Sequence, residues 1–407
     1  MDKPKRVSLL SLFWMFLKIG STAFGGFMAL ISVVENMIVS RRKLMQHDDM
    51  LDGISLASML PGPIAVNVVA FVGYQLRGFS GAAISATAVI LPSFILIIVL
   101  TAVYFQWGSL PVMDKLFMGF LPAVSAIIFN TAWGMSRKTI KTVQEGLILV
   151  VAAVLLLYIK GFYVTFGIIA SAALVGLLLF RNQKTTNKIS EGPSSDADGK
   201  KKIEDIKDKK TFIGKIRSSL FSVNPVLAIP FFSFQPEITL KLFLTFAGMS
   251  LMLFGGGYVF IPMIQEIVVN GYGWLTQKEF VDAIAMGQIT PGPILISATF
   301  IGYKIAGVLG AISATVGIFL PPILLMIFCT RVLDRIRKSN VIKSMLQGIR
   351  PAVIGMIFAA AIVIAQSTHL VWATLLIFVA TMIALMRFRV EVVWVIPTAG
   401  LAGLLLY

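Results

Sequence analysis

The chain has 407 residues, of which 57% are hydrophobic and 13% charged. Too few polar side chains are available to cover a soluble globule of that size, so an all-α polytopic membrane protein is expected. The formal net charge of +16 does not indicate a nucleic-acid groove, because Lys and Arg fall in short loops and one polar segment, as the positive-inside rule requires.

Taken in chain order, MDKPKRVSLL lacks a small-residue cleavage site, and the first apolar run, Phe13–Phe24, is read as part of the mature protein. It carries Lys18, which either neutralises a bound anion or snorkels to the interface. Phe24-Gly25-Gly26 follows, then Glu35 and a basic loop at Arg41-Arg42-Lys43. Asp49 and Asp52 precede Pro61-Gly62-Pro63-Ile64, which heads an apolar stretch containing Asn67. Two apolar stretches, Ile54–Leu76 and Gly81–Phe105, lead to a nearly neutral loop at Gln106–Pro111. Gly119-x-x-Pro122-Ala123-Val124, the basic cluster Arg137, Lys138, Lys141, and runs at Leu147–Tyr158 and Ile168–Phe180 complete the first half.

Arg181–Arg217 is polar and lysine-rich and reads as a flexible cytoplasmic linker, with room for an extra helix at Ser219–Phe234. Three regions are therefore expected: 1–180, a connecting 181–236, and 237–407. The second half repeats the first. Phe254-Gly255-Gly256 lies 230 residues after Phe24-Gly25-Gly26 (254 − 24), and Pro291-Gly292-Pro293-Ile294 lies 230 after Pro61 (291 − 61). Glu279 and Asp282 align with Asp49 and Asp52. After one deletion the shift is 229, and Leu320-Pro321 and Gly348-x-x-Pro351 meet Leu91-Pro92 and Gly119-x-x-Pro122.

Loop charge inverts between the copies. Arg41–Lys43 faces the uncharged Asn270–Trp274, and Gln106–Pro111 faces Arg331, Arg335, Arg337 and Lys338. Arg137–Lys141 faces Gln366–Thr368. Half two is thus expected upside down relative to half one, giving an inverted repeat with roughly 10–13 transmembrane segments, a plan typical of secondary transporters. Between Arg41 and Gln106 the chain must cross an odd number of times, so one of the two apolar stretches does not cross. The proline-broken PGP stretch is the candidate for a re-entrant or broken helix, although an isolated proline can mark only a kink. A helix restarting after Pro63 or Pro293 presents free N–H groups, which attract anions.

Candidate substrate-lining residues follow: Lys18, Gly25, Gly26, Pro61, Gly62, Pro63, Asn67, Gly255, Gly256, Gln288, Thr290, Pro291, Gly292, Pro293 and Ser297. The FGG glycines also suit close helix packing. Glu35, Asp52, Glu266 and Asp282 are candidates for ion coupling, yet first-turn carboxylates also serve the helix dipole. One cysteine, Cys329, and two distant histidines, His47 and His369, give no metal-ligand spacing, and no nucleophile–base constellation appears, so neither a cofactor nor an enzyme is expected.

This repeated set of FGG, a following acidic residue, D-x-x-D or E-x-x-D, PGPI, V/I-G-Y, LP and G-x-x-PAV resembles the chromate ion transporter family in its long, two-domain form. The resemblance covers both halves and implies export of chromate from the bacterial cytoplasm across the cytoplasmic membrane, with sulfate as a structural analogue. The expected partners are such an oxyanion and the bilayer, with no nucleic acid; a homodimer is an allowed assembly. Transport or channelling of another small anion, such as sulfate, and a non-transporting scaffold are the alternatives. The glutamine before PGP stands at 288 but is Ser58 in half one, and the lysine before FGG is Gly248 in half two, so the halves are not equivalent.

Overall fold

A computed structural model describes residues 7–23, 27–107, 111–159, 164–180, 236–254, 257–331, 339–366, 372–388 and 390–407. Among them the chain is helical, with no strand. Half one contains α1 (Leu9–Thr22), α2 (Phe27–Glu35) continuing as a π-helical turn over Asn36–Arg41, α3 (His47–Met59), α4 (Ile64–Trp107), α5 (Pro111–Thr139), α6 (Val143–Tyr158) and α7 (Val164–Phe180). Half two has the same seven: α8 (Pro236–Leu251), α9 (Phe260–Ile264) with a π-helical turn over Gln265–Gly271, α10 (Gln277–Ile289), α11 (Ser297–Thr330), α12 (Asn340–Gln366), α13 (Trp372–Met386) and α14 (Val392–Leu406). The starts keep the register of the sequence repeat, since 111 + 229 = 340 and 143 + 229 = 372.

Each PGP segment is a re-entrant hairpin. The prolines remove backbone donors and end the preceding helix. Gly62 (φ +101°) and Gly292 (φ +103°) then take a left-handed conformation that only glycine adopts cheaply. Beyond the break the chain turns back on itself. A methyl group on Gly53 would run into Phe71, and these two lie equally far from the turn (62 − 53 = 9, 71 − 62 = 9). In half two, Lys304 on the returning limb forms an ion pair with Glu279 on the entering one. The returning limb reverses again at Arg77 (ψ 22°) and Gly78 (φ 63°), and at Ala306 (ψ 33°) and Gly307 (φ 58°). Residues 79–107 and 308–330 then form the long helices.

The FGG segments turn back too. Arg42, just beyond α2 and its π turn, donates to Ser11 near the start of α1 at 3.4 Å. In half two, Lys241 near the start of α8 lies 4.2 Å from the Tyr272 ring centroid. Both ends of each FGG segment therefore lie together. Residues 24–26 and 255–256 themselves lie outside the described residues.

The two halves are inverted. Arg331, at the end of α11, donates to the Tyr74 hydroxyl at 3.2 Å and so sits on the face of the Arg41 loop and the Arg77 reversal. Tyr104, near the end of α4, donates to Asp282 of α10 at 2.7 Å and so sits on the opposite face, with Tyr272. Corresponding ends of corresponding helices thus point to opposite sides. The halves also interlock: α5 packs against α13 and α14, and α12 against α6 and α7. Close approach needs small residues, and a methyl group on Gly119 or on Gly348 would strike the facing backbone of α14 or α7. Four helical stretches, Ile64–Gln106, Lys115–Arg137, Ile294–Thr330 and Asn340–Gln366, are long and apolar enough to cross a bilayer.

Gly176 near the end of α7 packs on Ser344 and Gly348 near the start of α12, while Thr239 of α8 accepts from Ser313 at 2.6 Å. Phe180 and Pro236 consequently lie on opposite faces. The expected linker and the expected helix at Ser219–Phe234 lie outside the described residues.

Candidate functional site

The hairpin tips of the two halves meet each other. Gly62 donates its N–H to the Leu253 carbonyl at 2.7 Å, and Gly292 donates to the Ala23 carbonyl at 2.9 Å. The two bonds are copies under the repeat, since 253 − 23 = 230 and 292 − 62 = 230. Each PGP tip therefore rests on the other half's FGG hairpin. The same tips press on the long helices of the opposite half: Ser93 donates to the Pro291 carbonyl, and Gly62 lies against Pro322, the counterpart of Ser93 (322 − 93 = 229). Ser93 is the middle residue of 79–107, so the tips meet halfway along the long helix.

A small cavity of about 20 Å³ lies at this junction. It is lined by Pro63, Ile64 and Ala65 of half one, and by Gly257, Tyr258, Gln288, Thr290 and Gly292 to Leu295 of half two. Three helical stretches begin here. The first intrahelical bond of α4 runs from Asn67 N–H to Pro63 C=O at 2.9 Å, so the N–H groups of Ile64 and Ala65 have no intrahelical acceptor. In half two the Ile296 N–H bonds to Pro293 C=O at 3.0 Å, leaving those of Ile294 and Leu295 in the same position. A 3-10 turn starts at Gly257. These ends give the cavity a positive potential without a charged side chain. Gln288 adds a buried amide nitrogen with no hydrogen-bond partner among the described residues, a donor available to an anion.

The other residues singled out in the sequence divide by place. Thr290 lines the cavity and donates to Gly287 C=O at 2.9 Å. Pro61, Gly62 and Pro291 form the tips and are buried. Asn67 and Ser297 are fully buried beside the tips but turn onto their own loops: Asn67 donates to Pro61 C=O at 3.1 Å, and Ser297 to Ile294 C=O at 3.0 Å. They brace the turns instead of lining the cavity. Lys18 is exposed in a separate groove with Arg41 and Arg42. Gly25, Gly26, Gly255 and Gly256 lie outside the described residues.

The four carboxylates do not form one relay. Glu35 lies 3.1 Å from His47 Nδ1, and Glu266 accepts from Asn270 at 2.9 Å. Asp282 is fully buried and accepts from Tyr104, and Asp52 is half-buried on α3. Glu279, in the first turn of α10, is raised by burial, but its bonds from Lys304 and Thr276 outweigh that and hold its carboxyl below the ordinary value. Glu279 is therefore a carboxylate at neutral pH, in contact with Lys304.

Several features escaped the sequence. Ser93 and Tyr104 are joined to half two only by the fold. The paired π-helical turns have no sequence signal; such turns favour functional positions. Arg350, inside G-x-x-PAV, is an exposed cation within a long apolar helix, and a scan for charge in that run would have found it.

Two inverted halves whose broken helices meet midway along the long helices follow a plan that recurs among membrane transporters. The chain belongs to the chromate transporter family, whose model matches residues 10–177 and 240–404. It is 32% identical over 371 residues to a probable chromate transport protein of Synechococcus elongatus, covering 89% of this chain and 86% of that one. A chromate transport protein of Cupriavidus metallidurans is 28% identical over 397 residues, covering 96% and 92%. An uncharacterised transporter of Methanocaldococcus jannaschii is 31% identical over 393 residues, covering 95% and 92%. No solved structure matches.

Proposed function

We propose that the protein exports chromate and sulfate-like oxyanions across the bacterial cytoplasmic membrane, binding them where the PGP tips meet. The observation that carries this is the convergence of helix N-termini from opposite faces on one cavity holding the Gln288 amide, which has no partner among the described residues. A tetrahedral dianion is matched by several convergent N–H donors and needs no full counter-charge that would slow its release. A cavity of about 20 Å³ holds little more than a water, so this conformer is closed and the tips separate to admit substrate. Residues 1–180 and 237–407 act as the two transporter domains, joined by 181–236. The face bearing Arg41–Lys43 and Arg331 is cytoplasmic, on the strength of its charge.

A dianion leaving a negative-inside cell gains about 4.6 kcal/mol at 100 mV, at about 2.3 kcal/mol per charge. Membrane potential therefore suffices for export, and Glu35, Asp52, Glu266 and Asp282 carry no obligatory proton; Glu35, Glu266 and Asp282 hold local contacts with His47, Asn270 and Tyr104. Uptake of labelled chromate and sulfate into inverted vesicles, with pH and voltage gradients imposed separately, tests the reading. Saturable uptake driven by lumen-positive voltage supports it. Transport that follows a pH gradient at zero voltage replaces it with anion/proton exchange.

A further inference from the structure

We propose that the groove between α1 and the end of the α2 π turn binds the phosphate headgroup of an anionic phospholipid. The groove has a volume of about 730 Å³, far larger than the cavity between the tips, and is lined by Ser8, Ser11, Trp14, Lys18, Arg41 and Arg42 among others. Among the described residues no carboxylate lines it. Arg42 spends one donor on the Ser11 hydroxyl at 3.4 Å, and among the described residues Lys18 and Arg41 have no ion-pair partner. Three cations in one open groove suit an anionic ligand.

The apolar surroundings select an amphiphile. Leu10 (68% exposed) and Trp14 (61% exposed) lie on one stripe of α1 with Lys18, at spacings of four. Side chains on a helix lean toward its N-terminus, so Lys18 reaches back toward the membrane surface and the Arg41–Arg42 turn. Trp14 takes the interfacial level that tryptophan favours. A bare oxyanion has no use for the exposed leucine and tryptophan, whereas a phospholipid places its acyl chains along them.

The counterpart in half two makes the groove specific to one face. Ser11 corresponds to Lys241 and Arg42 to Tyr272 (shift 230), while Lys18 and Arg41 correspond to Gly248 and Gly271. The single cation left there, Lys241, is covered by the Tyr272 ring at 4.2 Å and the Trp274 ring at 5.7 Å, which stack on each other at 4.4 Å. Cation–π contact occupies that site from within. Only the basic face keeps its cations open, where anionic lipid of the cytoplasmic leaflet lies.

Native mass spectrometry of the full-length protein in neutral detergent tests the inference with phosphatidylglycerol, phosphatidylcholine and inorganic phosphate as probes. The expected result is a retained phosphatidylglycerol adduct, no equivalent phosphatidylcholine adduct, and no displacement by phosphate at matched concentration. Arg41→Gln/Arg42→Gln should weaken the adduct about fivefold per charge removed, ~1 kcal/mol each. Arg41→Lys/Arg42→Lys should retain it, which separates lost charge from lost fold, and Lys241→Gln should change nothing. Equal retention of both lipids, or an unchanged adduct in the Gln variant, overturns the proposal. Displacement by phosphate at matched concentration also overturns it and makes the groove an oxyanion vestibule. The readout is lipid binding, so it stands whether or not chromate is the transported ion.

Discussion

Replacing Gly292 with alanine should damage the junction in two separable ways. The left-handed φ of +103° costs a side-chain-bearing residue about 1–2 kcal/mol. The new methyl would also lie 2.5 Å from Ser93 Oγ, an overlap worth about 1–3 kcal/mol, for a total of about 2–5 kcal/mol. Ser93→Ala alone leaves the Pro291 carbonyl without its hydroxyl and should cost about 1–3 kcal/mol. Combining the two removes the overlapping oxygen, and the methyl then meets the residue-93 Cβ at 3.7 Å, an ordinary contact. The double variant should therefore be more stable than the sum of the singles predicts, by about 1–3 kcal/mol. Denaturant unfolding of the purified protein in neutral detergent measures the cycle. Additivity within about 0.5 kcal/mol would refute the packing of the PGP tip on the opposite half's long helix.

Other outcomes follow from the same geometry. Gln288→Leu should raise the half-saturation concentration for chromate about tenfold or more, the worth of a hydrogen bond to a charged group, in vesicle uptake assays. Lys18→Met should leave that concentration unchanged, because Lys18 lies outside the cavity. Asp282→Asn and Glu266→Gln, made singly, should preserve voltage-driven flux in proteoliposomes. Lys304→Met should loosen the α10 hairpin by about 1 kcal/mol, visible as faster hydrogen exchange over 277–289 with little change in α12.

The inverted repeat was legible because it rests on charge and spacing, both properties of the chain itself. Arg41–Lys43 against Asn270–Trp274 needed no coordinates, and neither did the parity of crossings that singled out the PGP stretch. The reversal at Arg77–Gly78, between the apolar stretches ending at Leu76 and starting at Gly81, fell where that reading required a turn. What stayed hidden depends on pairing across the halves. Nothing local in Ala23 or Leu253 marks its carbonyl as the acceptor for a glycine of the other half. Asn67 and Ser297 illustrate the limit at the candidate site: a polar residue one turn after PGP can face a ligand or brace its own turn, and only the rotamer decides. Lys18 is similar, since its depth along α1 suits either the cavity or the interface until the neighbouring Arg41–Arg42 turn is placed.

Impermeant cysteine labelling at two equivalent positions tests the inverted architecture most directly. In a Cys329→Ala background, Arg42→Cys and Tyr272→Cys, made separately, should react from opposite sides of the membrane, the first only from the cytoplasmic side in inverted vesicles and the second only in intact cells. Labelling of both from one side would contradict the inversion, and with it the meeting of the two PGP tips from opposite faces.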